Sequence, residues 1–273
     1  MYKLTIVTAG GVLGTTELTG QEDKWQIADI RGLDPPKGDV NITQLAGIDG
    51  GRYNSFYINT RNIVITFKIN GDPETNRLRL CAVFPQHKRI TLKYENGTRA
   101  VQTRCYVESV SYNPFTFPMT MQVSLICPDP YFYDQTEQSN TGKNVTARNS
   151  STSLYQGYNM QIVLVSSSGD ATSVSVRAGN SSNIVMQINY NFVSGDVIDI
   201  CTIDGQKSVT LTRGNAATNL FPYLEDGSEF YQLEPTTQEG VTKAETVYYY
   251  ANTSQTKISN TSSISWTTRY LGV

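Results

Sequence analysis

Alternation of apolar with polar residues at a period of two runs through this chain and restricts it to a fold built from strands. Ile63, Ile65, Phe67 and Ile69 alternate with polar or smaller neighbours between positions 61 and 69, as expected of a strand with one buried face. Residues 2–7, 12–18, 25–30, 89–95, 99–112 and 119–127 carry related strand signals, the first two joined by a Gly10-Gly11 turn. A helix start is legible in one place. Asp72 stands as N-cap ahead of Pro73, and Leu78, Leu80, Cys81, Val83 and Phe84 supply apolar contacts before Pro85 ends the run. A helix is therefore expected near residues 72–84. The dipeptide Asn96-Gly97 predicts a tight type I′ hairpin turn.

The 273 residues exceed the roughly 100 to 150 of an ordinary domain, and a polar, helix-poor stretch follows the turn residues Pro128-Asp129-Pro130. These features predict a first domain over 1–133, a linker over 134–145 and a second domain over 146–273. The second half carries only strand signals, at 160–165, 173–177, 184–188, 196–203, 207–211, 245–250 and 263–269. Seven short strands separated by turn residues describe a β-sandwich. In the first domain regularity lapses from Arg31 to about Thr60, through Asp34-Pro35-Pro36 and the glycine-rich 46–51. An irregular segment of that length is functional or mobile.

Composition narrows the partners. Charged residues make up 17% of the chain and the formal net charge is -2, with no basic run to neutralise a row of phosphates, so nucleic acid is not an expected partner. Nor is membrane insertion expected, because no segment approaches the roughly 20 apolar residues of a span. The start of the chain is too short and too polar for a secretory signal, so synthesis and folding in a cytoplasm are expected. A surface covered mainly by Ser, Thr, Asn and Gln suits strands that pack against copies of the same chain.

Residues that could carry chemistry have plainer readings. The four cysteines, Cys81, Cys105, Cys127 and Cys201, are widely spaced in apolar surroundings, which suits reduced core thiols, with a disulfide or zinc site as the alternatives. His87 is the only histidine and sits in a polar turn, without the spacing of a catalytic triad or of a His-Glu-x-x-His helix. Neither Gly10–Gly14 nor Gly47–Gly51 carries a phosphate-binding ending. Glu225, Asp226, Glu229 and Glu234 are the candidate carboxylates of a glycosidase, and such acids are common on surface loops. Trp266, Tyr248 and Tyr250, with Trp25, are candidate sugar-stacking residues, although Tyr249 must face opposite to its two neighbours on a strand. No enzymatic activity, cofactor or metal is expected.

Ordered motifs along the chain resemble those of the phage distal tail protein family, also called the siphovirus-type tail component. Arg31-Gly-Leu-Asp-Pro-Pro-Lys-Gly-Asp-Val-Asn, Leu45-Ala-Gly-Ile-Asp-Gly-Gly, Arg61-Asn-Ile-Val-Ile-Thr-Phe, and Asn113-Pro-Phe through Ile126-Cys-Pro-Asp-Pro-Tyr-Phe are similar to its first domain. Gly195 to Val209, Asn219-Leu-Phe-Pro-Tyr-Leu and Glu229-Phe-Tyr-Gln-Leu-Glu-Pro are similar to its galectin-like second domain, and Tyr270-Leu-Gly-Val to its ending. The departure is Glu234-Pro-Thr-Thr-Gln-Glu-Gly-Val, where the family often has a Pro-Gly-x-Asn turn.

The resemblance implies a mainly β protein, with an N-terminal β-sandwich of tail-tube type and a C-terminal galectin-like β-sandwich. It implies a ring, usually a hexamer, at the distal end of the virion tail. Such a ring meets the tail tube protein and the tail-associated baseplate protein, and its second domain can carry a receptor-binding or accessory protein. A carbohydrate-binding module recognising cell-wall sugars is the alternative from another class. If the chain closes rings, the irregular segment is the expected contact, with Leu33, Asp34, Pro35, Leu45, Ile48, Tyr53 and Phe56 as its interface residues. Backbone groups without ladder partners and apolar side chains both call for a neighbour.

Overall fold

The computed structural model describes residues 2–8, 14–165, 170–235 and 242–273. The Gly10-Gly11 turn, the start of the strand expected from residue 12 and most of the Glu234–Val241 departure lie outside the described residues. The chain divides into two units, one of residues 1–135 with 270–273, the other of residues 136–269. Strands dominate both, and the molecule is a mainly β protein with one α-helix among the described residues.

The first unit contains β1 (Tyr2–Thr8), β2 (Thr15–Glu17), β3 (Trp25–Arg31), β4 (Gly38–Gln44), β5 (Gly51–Ile58), β6 (Arg61–Ile69), α1 (Pro73–Val83), β7 (Arg89–Asn96), β8 (Ala100–Asn113), β9 (Thr120–Cys127) and β10 (Phe132–Asp134). Its main sheet runs β2-β1-β7-β8-β9-β6-β3. Strand β8 changes partners along its length: residues 100–106 pair with β7, and Tyr106 to Asn113 pair with β9, with an irregularity between Val107 and Ser109. A strand that passes from one set of partners to another turns the corner of a folded-over sheet. The core lies inside that fold, with Leu4, Ile6, Ile90 and Leu92 from one set and Ile63, Ile65, Phe67, Met121, Val123 and Leu125 from the other.

Helix α1 forms as its sequence dictates. The Asp72 carboxylate accepts the Thr75 N–H at 3.5 Å and the Thr75 hydroxyl at 2.6 Å, and Pro73 fills the first position. Leu80, Val83 and Phe84 are buried, whereas Leu78, expected among the apolar contacts, is exposed. The buried stripe runs through Asn76, Leu80 and Val83, and Leu78, two residues from both Asn76 and Leu80, lies on the other face. The Asn96-Gly97 turn is also not type I′. Only Gly97 has a positive φ there, and the Asn96 side-chain oxygen instead accepts the N–H groups of Thr98 and Arg99 at 3.1 and 2.8 Å.

The second unit holds β11 (Gln138–Thr141), β12 (Asn144–Asn149), β13 (Tyr158–Val163), β14 (Ala171–Ala178), β15 (Ile184–Phe192), β16 (Val197–Cys201), β17 (Ser208–Arg213), β18 (Ala216–Asn219), β19 (Lys243–Ala251) and β20 (Ser263–Trp266). They form two sheets, β11-β20-β13-β16-β17-β18 and β12-β19-β14-β15, around a core that includes Ile162, Ile198, Leu211, Val176, Ile188 and Val247. A short strand β21 (Arg269–Tyr270) then pairs with β10.

The expected linker over 134–145 is therefore not a bare linker: β11 lies within it and β12 begins there. Neither was legible, because β11 has no apolar residue and β12 buries Ala147 and Asn149 beside Val145. Asn149 is satisfied inside by donating to the carbonyls of Leu154 and Leu233 at 2.8 and 3.1 Å. The last four residues, expected in the second domain, belong to the first unit.

Candidate assembly interface

The irregular segment of the sequence contains a long antiparallel hairpin, β4–β5, that forms a two-stranded sheet of its own. Its register pairs Val40 with Phe56 and Ile42 with Tyr53, and a bulge between these pairs leaves Asn54 as the extra residue. With alternate side chains on opposite faces, Val40, Ile42, Tyr53 and Phe56 share one face. Asp39, Asn41, Thr43, Arg52, Ser55 and Tyr57 take the other, where the Asn54 amide donates to the Thr43 hydroxyl at 2.7 Å. The hairpin is an amphipathic ribbon.

Two glycines make the apolar face possible. A Cβ on Gly38 would fall 2.1 Å from the Phe56 ring, and one on Gly51 would fall 2.5 Å from Ile42 Cγ2. Each glycine lets an apolar side chain lie flat across the partner strand. Yet the four apolar side chains remain 52–62% exposed, and Leu45 and Ile48 in the connecting turn are exposed as well. A lone hairpin is marginal in water, and a contiguous exposed apolar face marks an interaction site.

The expected interface residues fall in two places. Leu45, Ile48, Tyr53 and Phe56 are on the hairpin, together with Val40 and Ile42, which the sequence reading did not select. Leu33, Asp34 and Pro35 are instead at the hairpin's root: Leu33 packs on the core of the first unit, and the Asp34 carbonyl accepts from Arg61 Nη1 at 2.6 Å. The sequence reading also passed over the turn between β8 and β9. Phe115 and Phe117 there are 94% and 102% exposed, on a turn fixed by the Asn113 side-chain oxygen accepting the Phe115 N–H at 3.0 Å. Two phenylalanines between prolines, Pro114-Phe-Thr-Phe-Pro118, were the available signal.

The candidate sugar platform does not assemble. Trp266 is buried and its indole N–H donates to the Arg148 carbonyl at 2.9 Å. Tyr248 and Tyr250 are half-buried on β19, in the opposite sheet, and the Tyr250 ring lies under the Arg177 guanidinium at 4.2 Å. Tyr249 points inward between them, fully buried, as strand alternation requires. The corrected reading of Trp266 is core packing with a satisfied N–H.

The other candidate groups also disperse. Glu234 pairs with Lys243, which also approaches the buried Glu245 at 3.3 Å. Glu225 and Asp226 line a shallow groove with Ile184, Met186 and Ser228. His87 is exposed in a positive-φ turn. All four cysteines are free, Cys105 and Cys127 buried and Cys81 and Cys201 half-buried. Among the described residues no group of three His, Cys, Asp or Glu is placed to hold a metal ion, and no helix is long and apolar enough to cross a membrane.

No protein-family model and no curated protein matches this sequence. Among solved structures, the Dit protein of phage SPP1, described as a paradigm of hub adsorption apparatus in phages infecting Gram-positive bacteria, superposes with a TM-score of 0.65 at 16% identity. That match covers 97% of this chain and 98% of the SPP1 protein. A chain of the phage P2 baseplate in its activated, calcium-containing conformation aligns over 100% of both chains at 14% identity, with a TM-score of 0.47. Over nearly its whole length, this protein has the fold of the SPP1 Dit protein.

Proposed function

We propose that this chain is a structural hub of a siphophage tail, a distal tail protein that assembles as a ring, most simply a hexamer, between the tail tube and the baseplate. The observation that carries the proposal is the amphipathic hairpin β4–β5, whose apolar face of Val40, Ile42, Tyr53 and Phe56 has no cover within one copy. The whole-length fold match to a phage hub protein supplies the context. A repeated head-to-tail contact through this ribbon closes a ring. In this reading the second unit carries accessory or receptor-binding proteins, and the protein works in the virion as a scaffold and not as an enzyme.

The test is the mass of the purified chain in solution, with electron microscopy to count subunits in any ring. The expected result is a closed oligomer that Ile42→Asp reduces to monomer while the circular dichroism spectrum keeps its strand signature. Rings that form equally well with Ile42→Asp place the contact elsewhere, and a wild-type chain that stays monomeric at all concentrations removes the ring.

A further inference from the structure

Arg61 opens β6 at the point where the hairpin's return leg rejoins the sheet, and it is one of the largest fully buried side chains of the protein. Its guanidinium is held by main-chain carbonyls. Nε donates to Pro130 at 2.8 Å, Nη1 to Gly32 at 2.5 Å and to Asp34 at 2.6 Å, and Nη2 to Leu271. The Phe132 ring closes the socket with its centroid 4.5 Å from the guanidinium carbon. Burial draws the arginine pKa down, with Cys127 and Asp34 acting in the opposite sense. A buried charge is tolerable only where each donor has an acceptor, and here three separate chain segments supply four carbonyls.

One of those segments is the strap Tyr270–Val273, which reaches the first unit only after the chain has traversed the whole second unit. Besides Leu271, the Val273 N–H donates to the Leu33 carbonyl at 3.2 Å, and the Arg99 guanidinium covers the Tyr270 ring at 4.8 Å. Gly272 is pressed against the hairpin's outgoing leg: a Cβ there would lie 2.9 Å from Pro35 Cδ and 3.1 Å from the Leu33 carbonyl oxygen. The outgoing leg also touches the return leg directly, since a Cβ on Gly32 would fall 2.0 Å from the Asn62 carbonyl oxygen. Arg61 and the strap thus grip the outgoing leg from two sides, at residues 32–35.

We infer that Arg61 and Tyr270–Val273 form a latch that fixes the root of the β4–β5 hairpin, so that a segment joined to the far end of the second unit sets the direction in which the hairpin projects. The second unit delivers the strap because its two ends lie side by side: β11 and β20 are paired, with Gln138 opposite Trp266. The first unit is therefore interrupted by the second rather than followed by it, and cutting the chain after residue 135 removes the latch along with the second unit.

Trypsin reports on the root directly, because Lys37 and Arg52 flank and interrupt the hairpin. Three changes to the full chain open the latch in different ways: deletion of residues 270–273, Gly272→Val, and Arg61→Lys, whose single ammonium cannot fork to four carbonyls. All are made in the Ile42→Asp background, so that self-association does not mask the hairpin and the outcome is independent of ring closure. The expected result is at least tenfold faster cleavage after Lys37 and Arg52 in each variant, with cleavage after Arg89 and Arg104 in the main sheet, and after Arg177 and Lys207 in the second unit, unchanged. Unchanged cleavage at Lys37 and Arg52 with the strap deleted or displaced overturns the latch. Equal acceleration at Arg89 and Arg104 also overturns it, since the strap would then stabilise the first unit as a whole.

Discussion

Strands β17 and β4 carry the same binary pattern and meet opposite fates. In β17, Val209 and Leu211 alternate with Ser208, Thr210 and Thr212, and both apolar residues are buried against the facing sheet. In β4, Val40 and Ile42 alternate with Asp39, Asn41 and Thr43, and both are more than half exposed. Alternation announces that a partner surface is needed without saying which chain provides it. The second unit finds its partner within itself, as a second sheet. The hairpin of the first unit does not, and its face stays exposed, which is why the proposed contact is placed there.

Truncating one apolar side chain on each strand separates their roles. Leu211→Ala should destabilise the second unit by about 2–5 kcal/mol, the range for emptying a close-packed core position, read as a lower calorimetric transition with oligomer mass unchanged. Ile42→Ala should do the reverse. The monomer should keep its stability within about 0.5 kcal/mol, as expected of an exposed side chain, while the concentration needed for ring closure rises at least tenfold. If Ile42→Ala lowers the monomer's stability as much as Leu211→Ala does, the hairpin face is covered within its own chain, and the contrast between the two strands is lost.

A second contrast is electrostatic. The second unit buries Asp196, whose carboxylate receives both Nε and Nη2 of Arg213 at 2.8 and 2.7 Å and the Val193 N–H at 2.9 Å. Burial acts to raise its pKa, but these hydrogen bonds and the Arg213 charge outweigh it and leave the carboxyl below its ordinary value. A carboxylate whose folded pKa is depressed adds stability that is present above its unfolded pKa of about 3.9 and is lost as pH falls through the folded value. The thermal transition of the second unit should therefore fall more steeply below about pH 4 in the native chain than in Asp196→Asn. At neutral pH that variant should cost about 1–3 kcal/mol, because Arg213 loses a charged acceptor. Identical acid profiles would sink this account.

Much of the fold could be read from the sequence, and the failures have physical causes. Helix α1 was legible because capping, Pro73 and a following Pro85 act locally. Strands β6, β13 and β19 were legible because one sheet face of each is apolar. β11 was not, since it has no apolar residue, and β12 was not, since it buries a polar Asn149 beside only Val145 and Ala147. The hairpin was missed for a different reason: the bulge at Asn54 shifts Tyr53 and Phe56 to an odd separation, so two residues of one face appear to belong to opposite faces. For the site, Leu45, Ile48, Tyr53 and Phe56 could be selected as apolar residues in an irregular segment. Val40 and Ile42 could not be chosen without the register, and the role of Arg61 depends on contacts from residues as distant in sequence as Leu271.

The smallest effect expected is also the one that separates the two faces of the hairpin. Asn54 lies on the polar face, exposed, and its amide donates to the Thr43 hydroxyl at 2.7 Å. A hydrogen bond between exposed groups competes with water at both ends and is worth little net, so Asn54→Ala should change monomer stability by less than about 0.5 kcal/mol. If only the apolar face meets the neighbouring subunit, the same substitution should also leave the concentration for ring closure within about twofold of the native value, well short of the 1.4 kcal/mol that a tenfold change represents. It removes the extra residue's side chain but not the bulge, so Tyr53 and Phe56 stay on the face shared with Val40 and Ile42. A second substitution on that face, Ser55→Ala, serves as a check on the first because Ser55 pairs with Asn41 on the other side of the bulge. Should either variant weaken closure as much as Ile42→Ala, the neighbour grips the ribbon from both faces, and the interface is a slot rather than a single apolar surface.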